Sequence, residues 1–239
     1  MTCVLISEMA PVECDKALML AGFHPIRLPA ARALLGSAVA SHPDTLVFHH
    51  ADTVITDCDY CDDAAFVFSE LRELYPNIKV GFSDAGLRAG YPHECAFNAA
   101  VHENTLFART DSLSAAVREY AESAGLTLVS TRQGYPACAT LMLKGRAITS
   151  DCGLARVYES CGLPVTLIKQ GGIQLPPHEY GFIGGASGVY GNTVYFFGDL
   201  SSHEDGELIK RAITESGYEI RSLCSGPLRD LGGMIFLGE

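Results

Sequence analysis

Residues 138–168 read CATLMLKGRAITSDCGLARVYESCGLPVTLI. The stretch divides into four pieces. An apolar run at 138–143 suits a strand and breaks at Lys144-Gly145, a turn pair. A second short strand follows at 147–149. Asp151 then stands where a helix cap belongs, just ahead of Leu154, and Gly162 falls just past the end of the helical run. A residue without Cβ enters the left-handed conformation freely, so Gly162 closes the helix. Residues 164–168 then alternate as a third strand. The order is strand, strand, helix, strand.

The same order recurs along the chain. Ala21-Gly22-Phe23, Ala124-Gly125-Leu126 and Ser216-Gly217-Tyr218 repeat the helix-ending glycine, and strands follow at 24–28, 127–131 and 219–223. Paired strands precede the helices at 45–50 and 53–56, 95–102 and 105–108, and 182–186 and 193–197, with Gly191-Asn192 as a further turn. Helical spacing appears in Leu113, Ala116, Val117, Tyr120 and Ala124, and again in Leu208, Ile209, Ala212 and Ile213. The expected caps are Asp111 or Ser112 before the first of these, and residues 201–204 as a capping box before the second.

Four copies of about 40 residues start near His42, Tyr91, Tyr135 and Tyr180, over 42–84, 91–133, 135–169 and 180–224. The remainder supplies a fifth. Residues 232–237 give one strand, 3–6 a second, 11–21 a helix and 24–28 the last, so residues 228–239 and 3–28 share one blade. The expectation is one domain over 1–239, an α/β fold closed as a five-bladed propeller of β-β-α-β units. Closure removes exposed sheet edges.

The totals limit the partners. The chain has 239 residues, 48% of them apolar and 19% charged, with a formal net charge of −11. That charge disfavours phosphate backbones and anionic membranes, so neither nucleic acid nor membrane is an expected partner. No apolar run approaches the ~20 residues of a membrane span. The short apolar run after Met1 carries no preceding Lys or Arg, unlike a secretory signal. Nine cysteines is an odd number, and the expectation is reduced thiols in the cytoplasm.

The fivefold pattern with a split blade resembles the pentein, or guanidine-modifying-enzyme, fold. That group holds arginine deiminases, amidinotransferases and dimethylarginine dimethylaminohydrolases, with the non-enzymatic ribosome anti-association initiation factors as a further branch. The motifs Gly134-Tyr135-Pro136-Ala137-Cys138, Ile148-Thr149-Ser150-Asp151, Gly181-Phe182-Ile183-Gly184-Gly185 and Asp230-Leu231-Gly232-Gly233 resemble a bacterial family of this fold without an established activity. The resemblance implies an enzyme with a nucleophilic Cys near the C-terminus, a His, and carboxylates around a central pore. This chain departs there: residues 232–237 contain no Cys, and Ile183 stands where those enzymes place an acid before Gly-Gly.

In such a propeller the residues entering each blade's first strand converge on the axis. These are His42, Asp44, His93, Glu94, Asn98, Ala137, Cys138, Gly184, Gly185 and Asp230. Cys138 is the candidate nucleophile and His42 or His93 its base, since a thiolate needs a base or cation nearby. Asp44, Glu94, Asn98, Gly184, Gly185 and Asp230 are candidates for binding a small cationic or amide-bearing molecule. Each has a plainer alternative. Free Cys is usually a small buried hydrophobe, and acids commonly cap turns, a role that fits Asp230 best. Asp230 also precedes Leu231-Gly232-Gly233, where the backbone is expected to approach another segment closely.

Cys58-Asp59-Tyr60-Cys61 has zinc or redox spacing but no second pair, and Asp57, Asp62 and Asp63 disfavour a thiolate. A helix start rich in acids is the simpler reading. No metal or cofactor is expected. His203 reads as an exposed first-turn residue, 181–188 as a weak phosphate cradle, and 169–180 as a loop over one face of the ring. Two functions remain open: a Cys-dependent hydrolase or transferase at a C–N bond, and a non-catalytic module binding a protein or metabolite.

Overall fold

Gly22, Gly125, Gly162 and Gly217 have φ of 91°, 70°, 81° and 85°, the left-handed conformation expected of helix-ending glycines. The computed structural model describes residues 2–84 and 86–238. Met1 and Glu239, the bounds of the expected domain, lie outside the described residues, as does Ala85.

The first elements are β1 (Cys3–Ser7), α1 (Val12–Leu20) and β2 (His24–Leu28). Next come α2 (Pro43–Leu46), β3 (Val47–His50), β4 (Thr53–Asp57), α3 (Cys58–Asp63), α4 (Ala65–Leu74) and β5 (Lys79–Ser83). The third group is β6 (Ala99–His102), β7 (Thr105–Ala108), α5 (Ala115–Ser123) and β8 (Thr127–Ser130). The fourth is α6 (Pro136–Ala139), β9 (Thr140–Leu143), β10 (Arg146–Thr149), α7 (Cys152–Ser160) and β11 (Val165–Leu167). The fifth is β12 (Ser187–Tyr190), β13 (Thr193–Phe196), α8 (Gly206–Glu215) and β14 (Glu219–Ser222), followed by β15 (Ile235–Leu237).

These strands form five three-stranded sheets. In four of them an antiparallel hairpin is followed, through a helix, by a strand parallel to the hairpin's second member. The fifth is the split blade. Here β1 pairs antiparallel with β15, Cys3 opposite Leu237, and parallel with β2. The middle strands β1, β4 and β13 are buried throughout, as strands covered on both faces should be.

The sheets close into a ring. β15 touches β12, β12 touches β9, and β9 touches β6, while α5 packs on β5, α2 on β1 and α4 on β2. Every blade therefore meets two neighbours, and the architecture is a closed five-bladed α/β propeller. Between sheets and helices lie large buried side chains such as Phe68, Phe97, Phe107, Tyr158 and Phe196. Each contributes about 1.5–3 kcal/mol of apolar burial. Among the described residues no helix is long and apolar enough to cross a membrane.

The inner strands begin later than the sequence pattern suggests. Residues 43–46 and 136–139 are single helical turns, with Pro43 and Pro136 in the first turn, where a missing N–H costs nothing. Residues 93–95 form a 3-10 turn and 183–186 a turn ahead of β12, so neither 95–98 nor 182–186 is strand. An apolar run of four residues suits either conformation. Caps also shift. Ser114, not Asp111 or Ser112, caps α5, accepting from Val117 N at 3.3 Å. Residues 200–202 form a 3-10 turn capped by Asp199, so no capping box forms at 201–204. His203 is buried, not exposed: its Nδ1 accepts from Asp205 N at 3.0 Å, and Gly172 packs on its ring. Asp151 caps α7 as expected, accepting from Gly153 N and Leu154 N at 2.7 and 2.8 Å.

A candidate active site at the ring's centre

His42, Tyr91, Tyr135 and Tyr180, the starts of the four sequence copies, all line one cavity of about 610 Å³. Cys138 and Asp230 also line it, and Asp44 lies beside them. The helical turns that precede the inner strands deliver these side chains. α2 carries Asp44 and follows directly on His42, α6 carries Cys138, and the segment between β14 and β15 carries Asp230.

The centre is a buried polar cluster. The Cys138 thiol donates to Asp230, with sulfur 3.5 Å from Oδ1 and 3.4 Å from Oδ2. Asp230 Oδ2 accepts from Phe182 N at 2.8 Å and Oδ1 from Gly232 N at 3.1 Å. His42 Nδ1 lies 3.7 Å from Asp230 Oδ1. One side-chain atom from each of His42, Asp44 and Cys138 lies within 4.8 Å of the other two. Asp44 Oδ1 accepts from Thr45 Oγ1 at 3.2 Å. Among the described residues, Asp44 Oδ2 and His42 Nδ1 are buried without a partner.

Burial raises the Asp44 carboxyl to about 6; His42 opposes that rise and Asp230 adds to it. Burial, reinforced by Asp230 and Asp44, pushes the Cys138 thiol well above the ordinary thiol range. The thiol is therefore protonated at rest. Two buried carboxylates face one imidazole, an arrangement that favours an incoming cation.

Glycines allow this convergence. A Cβ on Gly185 would fall 1.9 Å from Asp230 Oδ1 and 2.7 Å from Cys138 Sγ, and one on Gly184 would fall 2.2 Å from Ala137 O. Gly184 and Gly185 thus serve as close-approach positions, and Gly185 N donates to Cys138 O at 2.8 Å. Gly232 has φ 76°, and a Cβ there would lie 2.3 Å from His42 Cβ. The anion cradle considered at 181–188 holds Asp230 itself, through Phe182 N.

The remaining sequence candidates scatter. Asn98 is buried; its Oδ1 accepts from Ala137 N at 2.9 Å and so sets the start of α6, while Nδ2 has no partner. Glu94 lines the cavity and accepts from the Tyr135 hydroxyl. His93 is exposed on the 3-10 turn and does not line the cavity. Cys58 and Cys61 lie in α3, capped by Asp57, and Asp84, hydrogen-bonded to Cys58, raises its thiol. All nine cysteines, each among the described residues, are free.

Sequence reasoning did not single out Tyr91, His178, Glu179 or Tyr180 as wall residues. The signal lay in the copy starts and in the loop at 169–180, which forms part of the wall. No Lys or Arg lines the cavity among the described residues, whereas Glu94 and Glu179 do.

In overall structure the chain is similar to DDAH from Pseudomonas aeruginosa complexed with citrulline, at 10% identity and TM-score 0.56, covering 98% of each chain. It is similar to SxtG, an amidinotransferase of the saxitoxin pathway from Microseira wollei, at 10% identity and TM-score 0.56, covering 93% of this chain and 88% of the other. A dimethylarginine dimethylaminohydrolase adduct with S-methyl-L-thiocitrulline gives 12% identity and TM-score 0.56, covering 98% of each chain. The shared fold is the pentein propeller. No curated protein matches the chain in sequence. One family profile matches residues 5–235, that of a family of unknown function, DUF6873.

Proposed function

Because this chain belongs to the DUF6873 family of unknown function, we propose from its own site that it is a cysteine-dependent enzyme acting on a C–N bond of a small guanidino or amidine compound. One observation carries the reading. Cys138 Sγ lies 3.4–3.5 Å from Asp230, with His42 and the unpartnered Asp44 Oδ2 beside it, at the floor of an open cavity. The ligands of two similar structures, citrulline and S-methyl-L-thiocitrulline, belong to the same chemical neighbourhood.

A guanidinium donates paired hydrogen bonds to carboxylates. Placed over Asp44 and Asp230 it supplies the missing positive charge and favours the Cys138 thiolate. Cys138 gives its proton to His42, and sulfur adds to the guanidinium carbon. The C–N bond then breaks, the amine leaving with the proton from His42, and a thiouronium remains on Cys138. Water, or an acceptor amine, displaces sulfur and restores the thiol. The imidazole is beyond direct hydrogen-bond reach in the unliganded site, and such contacts commonly tighten on substrate binding. The cavity walls suit a neutral or cationic tail, since Glu94 and Glu179 line them and, among the described residues, no lysine or arginine does.

This assignment moves the nucleophile away from the C-terminal strand, where the resemblance implied it, to the blade of α6. Free thiols suit a reducing compartment, and we place the protein in the cytoplasm. A second reading, a module that binds the same ligand without turning it over, is favoured by burial, which together with Asp230 and Asp44 pushes the Cys138 thiol well up.

The test is turnover of a panel of guanidino compounds, read as released ammonia or amine, in wild type and Cys138→Ala. Circular dichroism checks that the variant folds. Turnover lost in the variant supports the enzyme. Binding without turnover in wild type selects the second reading, and undiminished turnover in Cys138→Ala overturns the role of Cys138.

A further inference from the structure

A second kind of cation matches the same floor. His42, Asp44 and Cys138 each present one ligating atom, and the three lie within 4.8 Å of one another. His42 Nδ1 and Asp44 Oδ2 are buried with no hydrogen-bond partner among the described residues, in side chains of residues only 3% and 9% exposed. Unpartnered buried atoms of this kind call for an explanation.

Imidazole nitrogen, carboxylate oxygen and thiolate sulfur form a donor set for zinc. Bonds of about 2.0–2.3 Å at tetrahedral angles put ligating atoms about 3.3–3.8 Å apart. The ligating atoms, within 4.8 Å of one another, stand at most about 1.5 Å wider than that. The two ligands at positions 42 and 44 are fixed by one helical turn, and the third comes across the ring from α6. His42 and Cys138 line the cavity, which leaves room for a fourth ligand there, as in zinc sites that keep one place open. Asp230, 3.7 Å from His42 Nδ1 and hydrogen-bonded to Cys138, is placed to orient both. Magnesium and calcium prefer all-oxygen shells, which this cluster does not offer.

We propose that His42, Asp44 and Cys138 bind one zinc ion per chain, which takes the place of the guanidinium group and blocks Cys138. On binding, the Cys138 thiol releases its proton to solvent and its sulfur bonds the metal, with no change of oxidation state. Chelation reverses the step. The blocking rests on the enzymatic reading above; the binding does not.

The experiment titrates Co2+ into the full, chelator-stripped chain as a spectroscopic stand-in, then displaces it with Zn2+. The expected result is one Co2+ per chain, a near-ultraviolet thiolate-to-cobalt band and the strong visible bands of four-coordination. The thiolate band vanishes in Cys138→Ser and persists in the Cys58→Ser/Cys61→Ser variant. Asp230→Asn weakens binding by about 10-fold or more. Circular dichroism checks each fold. X-ray absorption at the zinc edge of wild type needs no variant, and it should show one sulfur among nitrogen and oxygen neighbours.

The proposal fails if wild type gives no thiolate band, if the band survives in Cys138→Ser, if it is lost in Cys58→Ser/Cys61→Ser, or if the zinc carries two or more sulfurs. Turnover in the metal-free protein is scored separately. A band without turnover sinks only the enzymatic reading, and turnover without a band sinks only the metal.

Discussion

Cys138 and Asp230, 92 residues apart in sequence, meet at the ring's axis with the thiol 3.4 Å from the nearer carboxylate oxygen. Asp230 cannot swing away, because Phe182 N and Gly232 N hold its two oxygens. Asp230→Ala leaves the buried Gly232 N–H and the part-buried Phe182 N–H unpaired, at up to about 1–3 kcal/mol each. Asp230→Asn keeps the shape and one acceptor, so its stability loss in urea should be smaller, while calorimetry should show a clear loss of guanidinium affinity. Equal stability losses in the two variants would contradict the anchoring role.

Gly232 and Gly191 both have positive φ, 76° and 56°, but only Gly232 abuts a side chain of the site. Gly191→Ala costs only the left-handed strain, about 1 kcal/mol. Gly232→Ala adds a methyl 2.3 Å from His42 Cβ. The expected outcome is a larger drop in denaturation midpoint and a displaced imidazole, seen as a shifted His42 resonance by NMR. Similar midpoints for the two variants would refute the close-approach account.

Asp44 carries a pH signature in chelator-treated protein. Its carboxyl is near 3.8 when unfolded and about 6 when folded. The folded form therefore holds the proton more tightly. Stability from this group is fully present below pH ~4 and is lost as pH rises through about 6. Asp44→Asn has no such proton, so its stability relative to wild type should improve by about 2 kcal/mol between pH 4 and pH 8. Urea unfolding at the two pH values measures it, and a pH-independent difference excludes it.

Asp57 does more than cap α3. Its Oδ1 accepts from Asp59 N and Tyr60 N, and its Oδ2 from Gly86 N and Leu87 N, both at 3.0 Å. Asp57→Ala should cost above about 2 kcal/mol, more than an ordinary cap. Cys58→Ser/Cys61→Ser, on the helix it caps, should stay within about 0.5 kcal/mol of wild type. Chemical denaturation ranks them.

Tail charge separates ligands. With Glu94 and Glu179 in the walls, guanidino compounds ending in a carboxylate should bind at least several-fold more weakly than neutral or ammonium-ended ones. Glu179→Gln should narrow that gap in competition calorimetry. A preference for carboxylate tails would reverse the assignment of the walls.

The repeat, the glycine caps and the shared blade were legible because each is a local pattern with one physical meaning. Gly162 can end a helix cheaply, and 3–6 needs a partner that 232–237 provides. The candidates Cys138, His42, Asp44 and Asp230 followed from where blades begin. The helical turns at 43–46 and 136–139 were not legible, since four residues show no period. The clustering of His42, Asp44 and Cys138 was hidden for another reason: its atoms come from positions 42, 44 and 138, and metal spacing rules read only near neighbours. Tyr91 and Tyr180 were visible as copy starts, but which way their rings face is decided by loops such as 169–180.

The pairing of β1 with β15 has a consequence for biosynthesis. Residues 3–7 leave the ribosome well before residues 235–237, so the blade they share stays open until the latter emerge. During that interval β1 has an unpaired edge, and the segment bearing Asp230 has no fixed place. A protease that trims only the final strand should therefore silence a pocket whose other key side chains, at 42, 44 and 138, were made long before.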